Sequence, residues 1–355
     1  MVEISPVQRN LLISNYSMSE ANPIFSHQFE SATSLAKYFK KIYILTYEFN
    51  SKSSVVIPAN VKIINLNWRK GKPIFNYFVW TFNLIKILNK YKIDVVFFHM
   101  TEVNSIMSLP ILRLFRIPSA LWYAHKSKSC YLWLFNKFGN AILTSTAGSC
   151  PIKSKKVNVI GQGINEKYFY AQHSNYRGKT RFVSIGRVDE SKNIESIVGA
   201  LVYYKKIYPE ITLDIFGKSS NENYRANLQH FANKKNVLNG ENWIKIHKEV
   251  HRMDIPKLLQ NYDVLINAFN GSLDKILLEA ALAGMPVVTT NPEFNKEFFR
   301  SNHLNLKENL NVFFESSDVL LNAQIVDIQN AIIKNHSLDH WSKAVTKILM
   351  NLISF

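Results

Sequence analysis

Residues 263–289 have the sequence DVLINAFNGSLDKILLEAALAGMPVVT, and this stretch decides the fold class of the chain. The apolar runs at its two ends, 263–267 and 286–289, predict two short buried strands. Residues 275–283 lie between them and are dominated by good helix formers, which predicts a helix. A strand, a helix and a strand in this order predict a parallel β-α-β unit.

Three polar or small residues mark the ends and the middle of this helix. Ser272 is a suitable N-cap, and Gly284 is a suitable C-cap. Glu279 lies inside an apolar helix face, where a carboxylate is costly unless it has a partner. That partner is either a hydroxyl group of a ligand or a neighbouring Lys or Arg, and the sequence leaves both open.

A second cluster lies upstream, where the predicted strand 181–185 runs into a glycine turn. Gly186 and Arg187 follow this strand directly, and Lys192 comes five residues after Arg187, where the next helix begins. An Arg and a Lys at a strand-to-helix loop form a cationic pocket, and the helix N-terminus adds partial positive charge. This pattern predicts a diphosphate site, although loop Arg and Lys side chains are often simply solvated.

The same alternation of strands and helices extends over the whole chain and predicts two α/β units. Strands are predicted at 10–14, 41–47, 61–66, 93–99, 118–124, 141–144 and 157–160, and again at 181–185, 212–216, 243–246, 263–267 and 286–289. Helices are predicted at 25–39, 75–91, 105–115, 193–208, 223–233, 255–261 and 275–283. In such sheets ligands bind beyond the carboxyl ends of the strands, and here we expect them in a cleft between the units.

These elements give the expected domain organisation. We expect a first Rossmann-like domain over 1–165, a linker over 166–178 and a second Rossmann-like domain over 179–340. A C-terminal helix over 341–355 can pack back on the first domain.

Composition excludes several classes of protein. The 355 residues are 47% hydrophobic and 19% charged, which excludes wholesale disorder and fibrous repeats. Two cysteines without a Cys-x-x-Cys or Cys/His cluster predict neither a zinc site nor a disulfide framework, and they fit a reducing compartment. Neither a signal-peptide pattern nor an apolar run of spanning length is present, so we expect a cytoplasmic protein without a membrane-spanning helix.

The positive charge is concentrated in the first half of the chain. The net charge is +17, and residues 1–170 hold 21 Lys and Arg against 7 Asp and Glu. Nucleic acid, an anionic membrane surface or a phosphorylated substrate could bind such a surface, and a generally basic proteome would also explain it. We expect no nucleic-acid partner, because the chain shows none of the recognisable binding modules.

One segment favours the membrane surface. Residues 68–72 (WRKGK) precede the ring-rich residues 75–82, and cations beside aromatic rings suit a lipid headgroup boundary. An ordinary buried helix with a basic entry loop explains the same pattern. The sequence leaves both interpretations open, and the expected location is cytoplasmic, either free or peripheral at the inner face of the plasma membrane.

Taken together, these motifs resemble a known family. The GRxxxxK pattern at 186–192, the Gly-Ser turn at 271–272 and LLEAALAGMPVV at 277–288 resemble the retaining nucleotide-sugar glycosyltransferases of family 4. The resemblance is clearest over 181–291. Residues 159–165 (VIGQGIN) are similar to the interdomain segment of that family, and the strands before His99 and His125 are similar to two of its N-domain strands.

The resemblance implies a fold and an activity. The implied fold is α/β of the GT-B type, with two Rossmann-like parallel-sheet domains that face a central cleft. The implied activity is transfer of a hexose-type sugar from a nucleotide-diphosphate donor to a glycan or a polyprenyl- or other lipid-linked acceptor, in surface polysaccharide or glycolipid assembly. No cofactor is implied, and because the chain has no D-x-D triplet we expect no metal.

The resemblance also assigns roles to individual residues. Arg187 and Lys192 neutralise the donor diphosphate and count with His125 as catalytic residues, since the family places this histidine near the reacting sugar carbon. Glu279 corresponds to the glutamate that binds the donor ribose. The complete donor-binding set is Gly186, Arg187, Lys192, Gly271, Ser272, Leu273, Asp274, Lys275 and Glu279.

At one position the chain departs from the family pattern. The family has a further glutamate that faces the transferred sugar, and it falls at Gly271, which has no side chain. Asp274 and Lys275 are in the same turn and can substitute, and backbone amides of this turn can bind sugar hydroxyls or phosphate. The alternative is a catalytically impaired nucleotide-sugar-binding protein, and a nucleic-acid-binding protein is a more distant one.

The acceptor side of the site is assigned to the first domain. His27 follows the first strand, where the family has its acceptor loop, and His99 ends another strand. The glycine pair that is usual near His27 is absent, so the resemblance to the family is weaker here.

Overall fold

The computed structural model describes residues 7–19, 22, 25–50, 56–69, 71–171, 178–219, 221–238, 242–300 and 305–354. The chain divides into two compact units, one made of residues 1–163 and 338–355 and the other of residues 164–337. The first unit therefore contains both ends of the chain. The predicted domain boundary at residue 165 lies two residues beyond the observed one.

Each unit is built from parallel strands and helices in alternation. The strands are β1 (Val7–Met18), β2 (Phe39–Phe49), β3 (Val61–Asn65), β4 (Val95–His99), β5 (Ser119–Trp122), β6 (Ala141–Thr144), β7 (Val157–Val159), β8 (Arg181–Ile185), β9 (Thr212–Phe216), β10 (Ile244–His247), β11 (Val264–Asn267) and β12 (Val287–Thr289). The helices are α1 (Ser26–Ser34), α2 (Pro73–Lys90), α3 (Glu102–Leu114), α4 (Cys130–Phe138), α5 (Glu166–Phe169), α6 (Ile194–Ile207), α7 (Glu222–Leu238), α8 (Ile255–Leu259), α9 (Lys275–Leu282), α10 (Pro292–Phe294), α11 (Leu306–Glu315), α12 (Asp318–His336) and α13 (Leu338–Ile353).

The first unit has a seven-stranded parallel sheet in the order β3-β2-β1-β4-β5-β6-β7. Successive side chains of its central strands point to opposite sides of the sheet, and helices cover both sides. Leu11 and Phe97 pack on one side with α1 and α13, whereas Leu12 and Phe98 pack on the other with α2, α3 and α4. The first unit is thus a three-layer α/β domain.

The C-terminal helix α13 is part of the first unit. Trp341, Val345 and Leu349 of this helix are buried in the core on the α1 side of the sheet. Gly163 has a φ of +69° and lies so close that an added Cβ would be 3.0 Å from Cγ of Trp341. A larger residue at position 163 would therefore be strained both by the backbone angle and by contact with the indole.

The second unit has a five-stranded parallel sheet in the order β10-β9-β8-β11-β12. Helices α6, α7 and α11 contribute buried side chains to one core, and α5, α8 and α9 contribute to another. Helix α12 reaches both. The two Rossmann-like parallel-sheet units confirm the predicted fold class.

The observed elements correct the sequence prediction in several places. Helices α4, α10, α11 and α12 were not predicted, and α5 lies inside the segment that was expected to be a linker. Ser272 is not the N-cap of α9, because the helix begins at Lys275 and Asp274 occupies the cap position. Gly284, with a φ of +78°, follows the cap residue Ala283 and ends the helix in the left-handed conformation that glycine favours.

Candidate functional site

The site in the second unit lies where the strand order of its sheet reverses. Strands β8 and β11 are neighbours, and the chain leaves them toward opposite edges of the sheet. Ligands of open parallel sheets bind at such a point, beyond the carboxyl ends of the strands. A small pocket here is lined by Ser184, Ile185, Gly186, Arg187, Lys192, Ile194, Ile215, Phe216 and Asn267.

Lys192 is the central cation of this pocket. It lies just before α6, and its ammonium group forms an ion pair with the carboxylate of Asp274, at the start of α9. The same ammonium lies 4.2 Å from the ring centroid of Phe269, within cation–π range. Gly186 leaves room for the lysine stem, since an added Cβ would be 3.3 Å from Cε.

Arg187 is the second cation, and its side chain is half exposed. Its Nη1 atom lies 2.9 Å from Oδ2 of Asp189 in the same loop. Both predicted phosphate ligands are therefore present at one pocket, and each is paired with a carboxylate. A ligand phosphate would take the place of these carboxylates at the cations, since it accepts the same charge-assisted hydrogen bonds.

The loop between β11 and α9 is fixed by two asparagines. Asn267 donates to Oδ2 of Asp274 at 3.2 Å and accepts from the backbone N–H of Phe269 at 3.0 Å. Asn291, which is fully buried, donates to the carbonyls of Phe269 and Ser272 at 2.9 and 3.0 Å. These bonds hold Asp274 and the Phe269 ring beside Lys192.

The ring of Phe269 fills the space next to Gly271. A Cβ added at Gly271 would lie 2.0 Å from Cζ of Phe269, which is far inside van der Waals contact. Any side chain at this position, including the glutamate that the resemblance implies, therefore requires the ring to move. The other turn residues differ in exposure: Ser272 and Leu273 are buried, whereas Asp274 and Lys275 are partly exposed.

Glu279 is 2% exposed on α9 and forms an ion pair with Arg252. Arg252 itself is 10% exposed, and its guanidinium carbon lies 5.2 Å from the ring centroid of Phe169. Of the two partners left open by the sequence, the structure shows the neighbouring arginine. Glu279 lies five residues after the cap residue Asp274, which is about 7.5 Å along the axis of α9.

Three histidines selected from the sequence lie in the first unit. His27 is on α1 and His99 ends β4, and their ring centroids are 6.0 Å apart. His99 is buried among Phe97, Trp122 and Trp341. The structure thus brings His27 and His99 together.

His125 is exposed and lies three residues after β5. Its Nδ1 atom accepts a hydrogen bond from the backbone N–H of Ser127 at 3.1 Å and lies 2.8 Å from the Ser127 hydroxyl. Because Nδ1 is the acceptor, the neutral imidazole carries its proton on Nε2. The loop therefore presents a hydrogen-bond donor at Nε2.

Sequence reasoning missed Arg252, Phe269 and Asn267. Asn267 ends a predicted strand next to a glycine turn, and that position was a usable signal. The other two residues are defined by contacts in the folded chain, Arg252 across 27 residues to Glu279 and Phe269 across 77 residues to Lys192. No spacing in the sequence marks such pairs.

The residues that the structure describes contain no group of three or more His, Cys, Asp or Glu side chains arranged to hold a metal ion. None of the helices they form is both long enough and apolar enough to cross a membrane.

The family model described as "Glycosyl transferases group 1" matches residues 166–351, slightly more than half of the chain. A search of curated proteins found no significant match in sequence.

Solved structures show the same fold over nearly the whole chain. HepE from Anabaena, in complex with UDP and glucose, has a TM-score of 0.71 and 15% identity over 96% of this chain and 99% of its own. A sucrose-phosphate synthase from Thermosynechococcus elongatus has a TM-score of 0.75 and 11% identity, with 98% and 100% covered. A glycosyltransferase from Rickettsia africae has a TM-score of 0.71 and 15% identity, with 98% and 99% covered.

Proposed function

Since the chain belongs to the glycosyl transferases group 1 family, we propose that it is a retaining hexosyltransferase of family 4 that acts without a metal ion. Its donor is a nucleotide-diphosphate sugar, and its acceptor is a glycan or a lipid-linked glycan. The observation that carries the proposal is the meeting of Arg187 and Lys192 at the pocket after β8, where Lys192 pairs with Asp274 at the start of α9. The same helix carries the buried Glu279.

The two cations stabilise the leaving group of the proposed reaction. Breaking the bond between sugar and phosphate leaves growing negative charge on the diphosphate. Arg187 and Lys192 stabilise that charge, and the N-terminus of α6 directly after Lys192 adds the dipole of a 14-residue helix. Gly186 and the amides of residues 271–274 bind the phosphates or the sugar hydroxyls.

Glu279 binds the donor ribose in this proposal, and Arg252 holds its carboxylate in place. A buried carboxylate that is already paired with a guanidinium keeps lone pairs for a second donor, such as a ribose hydroxyl. Within this proposal His125 is assigned to act on the reacting sugar, and His27 and His99 are assigned to acceptor binding. The leaving phosphate assists removal of the acceptor proton from the same face.

The place of action that we propose is the inner face of the plasma membrane, in the assembly of a surface polysaccharide or glycolipid. The two free cysteines and the charge of +14 over residues 1–170 support it. Solved complexes of HepE with UDP-glucose make UDP sugars the first donors to test.

A second candidate function follows from Gly271. Since Phe269 occupies the space of the missing glutamate, the chain could bind a nucleotide sugar without transferring it. Turnover of the donor in the presence of an acceptor separates the two functions.

The test is a ligand panel of UDP, GDP, ADP and CMP with their common sugars, measured by thermal shift and calorimetry. A ligand at about 100 times its dissociation constant adds about 2.7 kcal/mol of stability. Glu279→Gln should weaken the response to one nucleoside diphosphate, whereas the exposed control Glu210→Gln should match the wild type. If no member of the panel stabilises the wild type, the proposed function is wrong.

A further inference from the structure

The helix α2 is apolar on the side that faces away from its own core. At about 100° per residue, Ile74, Phe78, Phe82 and Ile85 fall within an arc of about 80°. They are 74%, 63%, 66% and 38% exposed. An amphipathic surface helix normally presents polar side chains there, so this face is unusual.

The opposite side of α2 packs into the core of the first unit. Trp80, Leu84 and Ile87 are buried against the sheet, and Nε1 of Trp80 donates to the hydroxyl of Ser108 on α3 at 3.0 Å. Core packing is thus complete without the outward rings. The exposed residues Ile74, Phe75, Phe78, Phe82 and Ile85 are called the α2 face below.

Neighbouring helices continue this apolar surface. Helix α3 packs against both α2 and α4, so the three helices form one layer. On α4, Tyr131, Trp133 and Phe138 are exposed to 41%, 57% and 39%. Exposed rings on two helices of one layer are unusual, because exposed apolar residues are normally scattered singly over a protein surface.

Cations lie directly beside these rings. The guanidinium carbon of Arg69 is 4.4 Å from the ring centroid of Phe75, and that of Arg113 is 4.9 Å from Phe138. Nζ of Lys137 is 5.6 Å from the ring of Trp133. Lys and Arg next to Trp and Phe are the side chains that suit the boundary between lipid headgroups and acyl chains.

The net charge of the sequence around these helices indicates whether an anionic or a cationic partner binds to them. Residues 61–163 contain 15 Lys and Arg but only 2 Asp and Glu, a net charge of +13. Both carboxylates are engaged within the unit: Asp94 pairs with Arg9 at 3.0 Å, and Glu102 accepts from the hydroxyl of Ser129 at 2.9 Å. A second copy of the same face would be repelled, whereas an anionic bilayer is complementary.

We infer that the α2 face, together with the exposed rings of α4, docks this protein on an anionic lipid bilayer. The rings enter the headgroup boundary, and the surrounding Lys and Arg side chains contact the lipid phosphates. This inference deepens the membrane location given under the proposed function and rests on that part of it. It uses residues of the first unit and not the donor site of the second.

The experiment is vesicle flotation of the full-length chain. Vesicles of phosphatidylcholine alone are compared with vesicles that also contain phosphatidylglycerol, at low and at high salt. The wild type should float with the anionic vesicles and do so less at high salt, because the cations are screened. The variant Phe78→Ser/Phe82→Ser should bind at least about tenfold more weakly, since two exposed rings no longer enter the bilayer.

A matched variant controls for the loss of exposed apolar surface as such. Val319→Ser/Leu320→Ser removes two exposed apolar side chains from α12 in the second unit and should float like the wild type. Unfolding midpoints and UDP binding should be unchanged in both variants, which separates this inference from the proposed function.

Three results overturn the inference. The wild type could stay in the buffer with every vesicle, or the Phe78→Ser/Phe82→Ser variant could float as well as the wild type. Light scattering could also show a dimer that this variant dissociates, without any vesicle binding, and the α2 face would then be an interface between two copies.

Discussion

At the scale of single residues, the pocket after β8 contains two cations that are each satisfied by a carboxylate. Lys192 pairs with Asp274, and Arg187 pairs with Asp189 at 2.9 Å. A phosphate group accepts the same charge-assisted hydrogen bonds as a carboxylate, so in the proposed donor site it would replace Asp274 and Asp189 at these cations.

A substitution at Gly271 tests the packing of this pocket. In Gly271→Ala the new methyl carbon would lie only 2.0 Å from Cζ of Phe269. The Phe269 ring must therefore leave its position beside the Lys192 ammonium group. We expect UDP to bind about tenfold more weakly in Gly271→Ala, since the displaced ring enters the pocket. Calorimetry of UDP binding measures this change.

The double variant Phe269→Ala/Gly271→Ala serves as the control, because it removes the ring that the methyl group displaces. We expect it to recover most of the affinity lost by Gly271→Ala. Equal UDP affinities for Gly271→Ala and the wild type would show that the ring position has no influence on the pocket.

The sequence indicated candidate residues for the site but did not indicate their side-chain partners. Arg187, Lys192 and Glu279 were selected from local patterns, a strand followed by a glycine turn and a carboxylate on an apolar helix. The side chain that pairs with Glu279 could not be selected, because Arg252 reaches it only through the packing of α9 beside the loop before α8. Contacts of this kind are set by tertiary structure and leave no periodic signal.

At the scale of elements, the strands β8 and β11 are joined by a buried carboxylate in addition to the sheet itself. Asp263 is 2% exposed and accepts from the side chain of Arg181 at 2.7 and 3.1 Å and from its backbone N–H at 2.9 Å. Burial alone would raise the pKa of Asp263, but the hydrogen bonds and charge of Arg181 lower it below its usual value. This bond fixes the strand that leads into Gly186.

The lowered pKa of Asp263 makes stability depend on pH. A carboxyl group whose pKa is lower in the folded state stabilises the fold above its unfolded pKa of about 4, and that contribution is lost as the pH falls through the folded pKa. Asp263→Asn should lower the free energy of unfolding by about 2 kcal/mol at neutral pH, because it removes a charged hydrogen-bond acceptor.

Denaturant unfolding of wild type and Asp263→Asn between neutral and acidic pH measures this effect. The difference between the two proteins should shrink as the pH falls below about 4. A difference that stays constant over the whole range would contradict the assignment of the charge effect to Asp263.

The C-terminal helix α13 is a structural element of the first unit. Trp341 is 1% exposed among aromatic rings of the β4 and β5 strands. Trp341→Ala should lower the free energy of unfolding by about 3–5 kcal/mol, the range for deleting a buried large side chain. The exposed control Lys347→Ala on the same helix should change it by less than about 0.5 kcal/mol.

Denaturant unfolding of both α13 variants measures this prediction. If Trp341→Ala unfolds at the same denaturant concentration as Lys347→Ala, α13 does not stabilise the first unit in the way described.

Elements with a single clear pattern were predicted well from the sequence, and the others were not. The strands β6, β8 and β9 were predicted with their observed bounds, since each is a segment of four or five residues rich in Ile, Leu, Val or Phe. Helix α4, with the sequence CYLWLFNKF, was missed because apolar residues occupy nearly every position. Its outward rings remove the alternation between polar and apolar sides by which a surface helix is recognised.

At the scale of the whole molecule, charge is distributed unevenly along the sequence. Residues 1–170 carry +14 of the total +17, and within them residues 61–163 carry +13. This segment also supplies the helices with exposed rings. Cations and apolar rings in one layer favour attraction to an anionic surface, and association at that surface depends on salt.

The family model covers the second half of the chain, whereas the fold is shared with solved structures over nearly all of it. The family model matches residues 166–351, and the structures of HepE and of the sucrose-phosphate synthase align over 96% and 98% of the chain. At identities of 15% and 11%, these structures show that the fold is shared, and the donor sugar has to be identified by experiment. The central claim is therefore that Lys192 and its neighbours form a working donor site.

The most direct test of this claim follows donor consumption by NMR in wild type, Lys192→Ala and the exposed-lysine control Lys206→Ala. One nucleotide sugar should bind and be converted by the wild type and the control, with the product keeping the anomeric configuration of the donor. Lys192→Ala should lose at least about tenfold in donor affinity and in rate, since it removes a charge-assisted contact to the diphosphate. Equal binding and conversion by Lys192→Ala and wild type would contradict the account, as would a wild type that binds no nucleotide sugar.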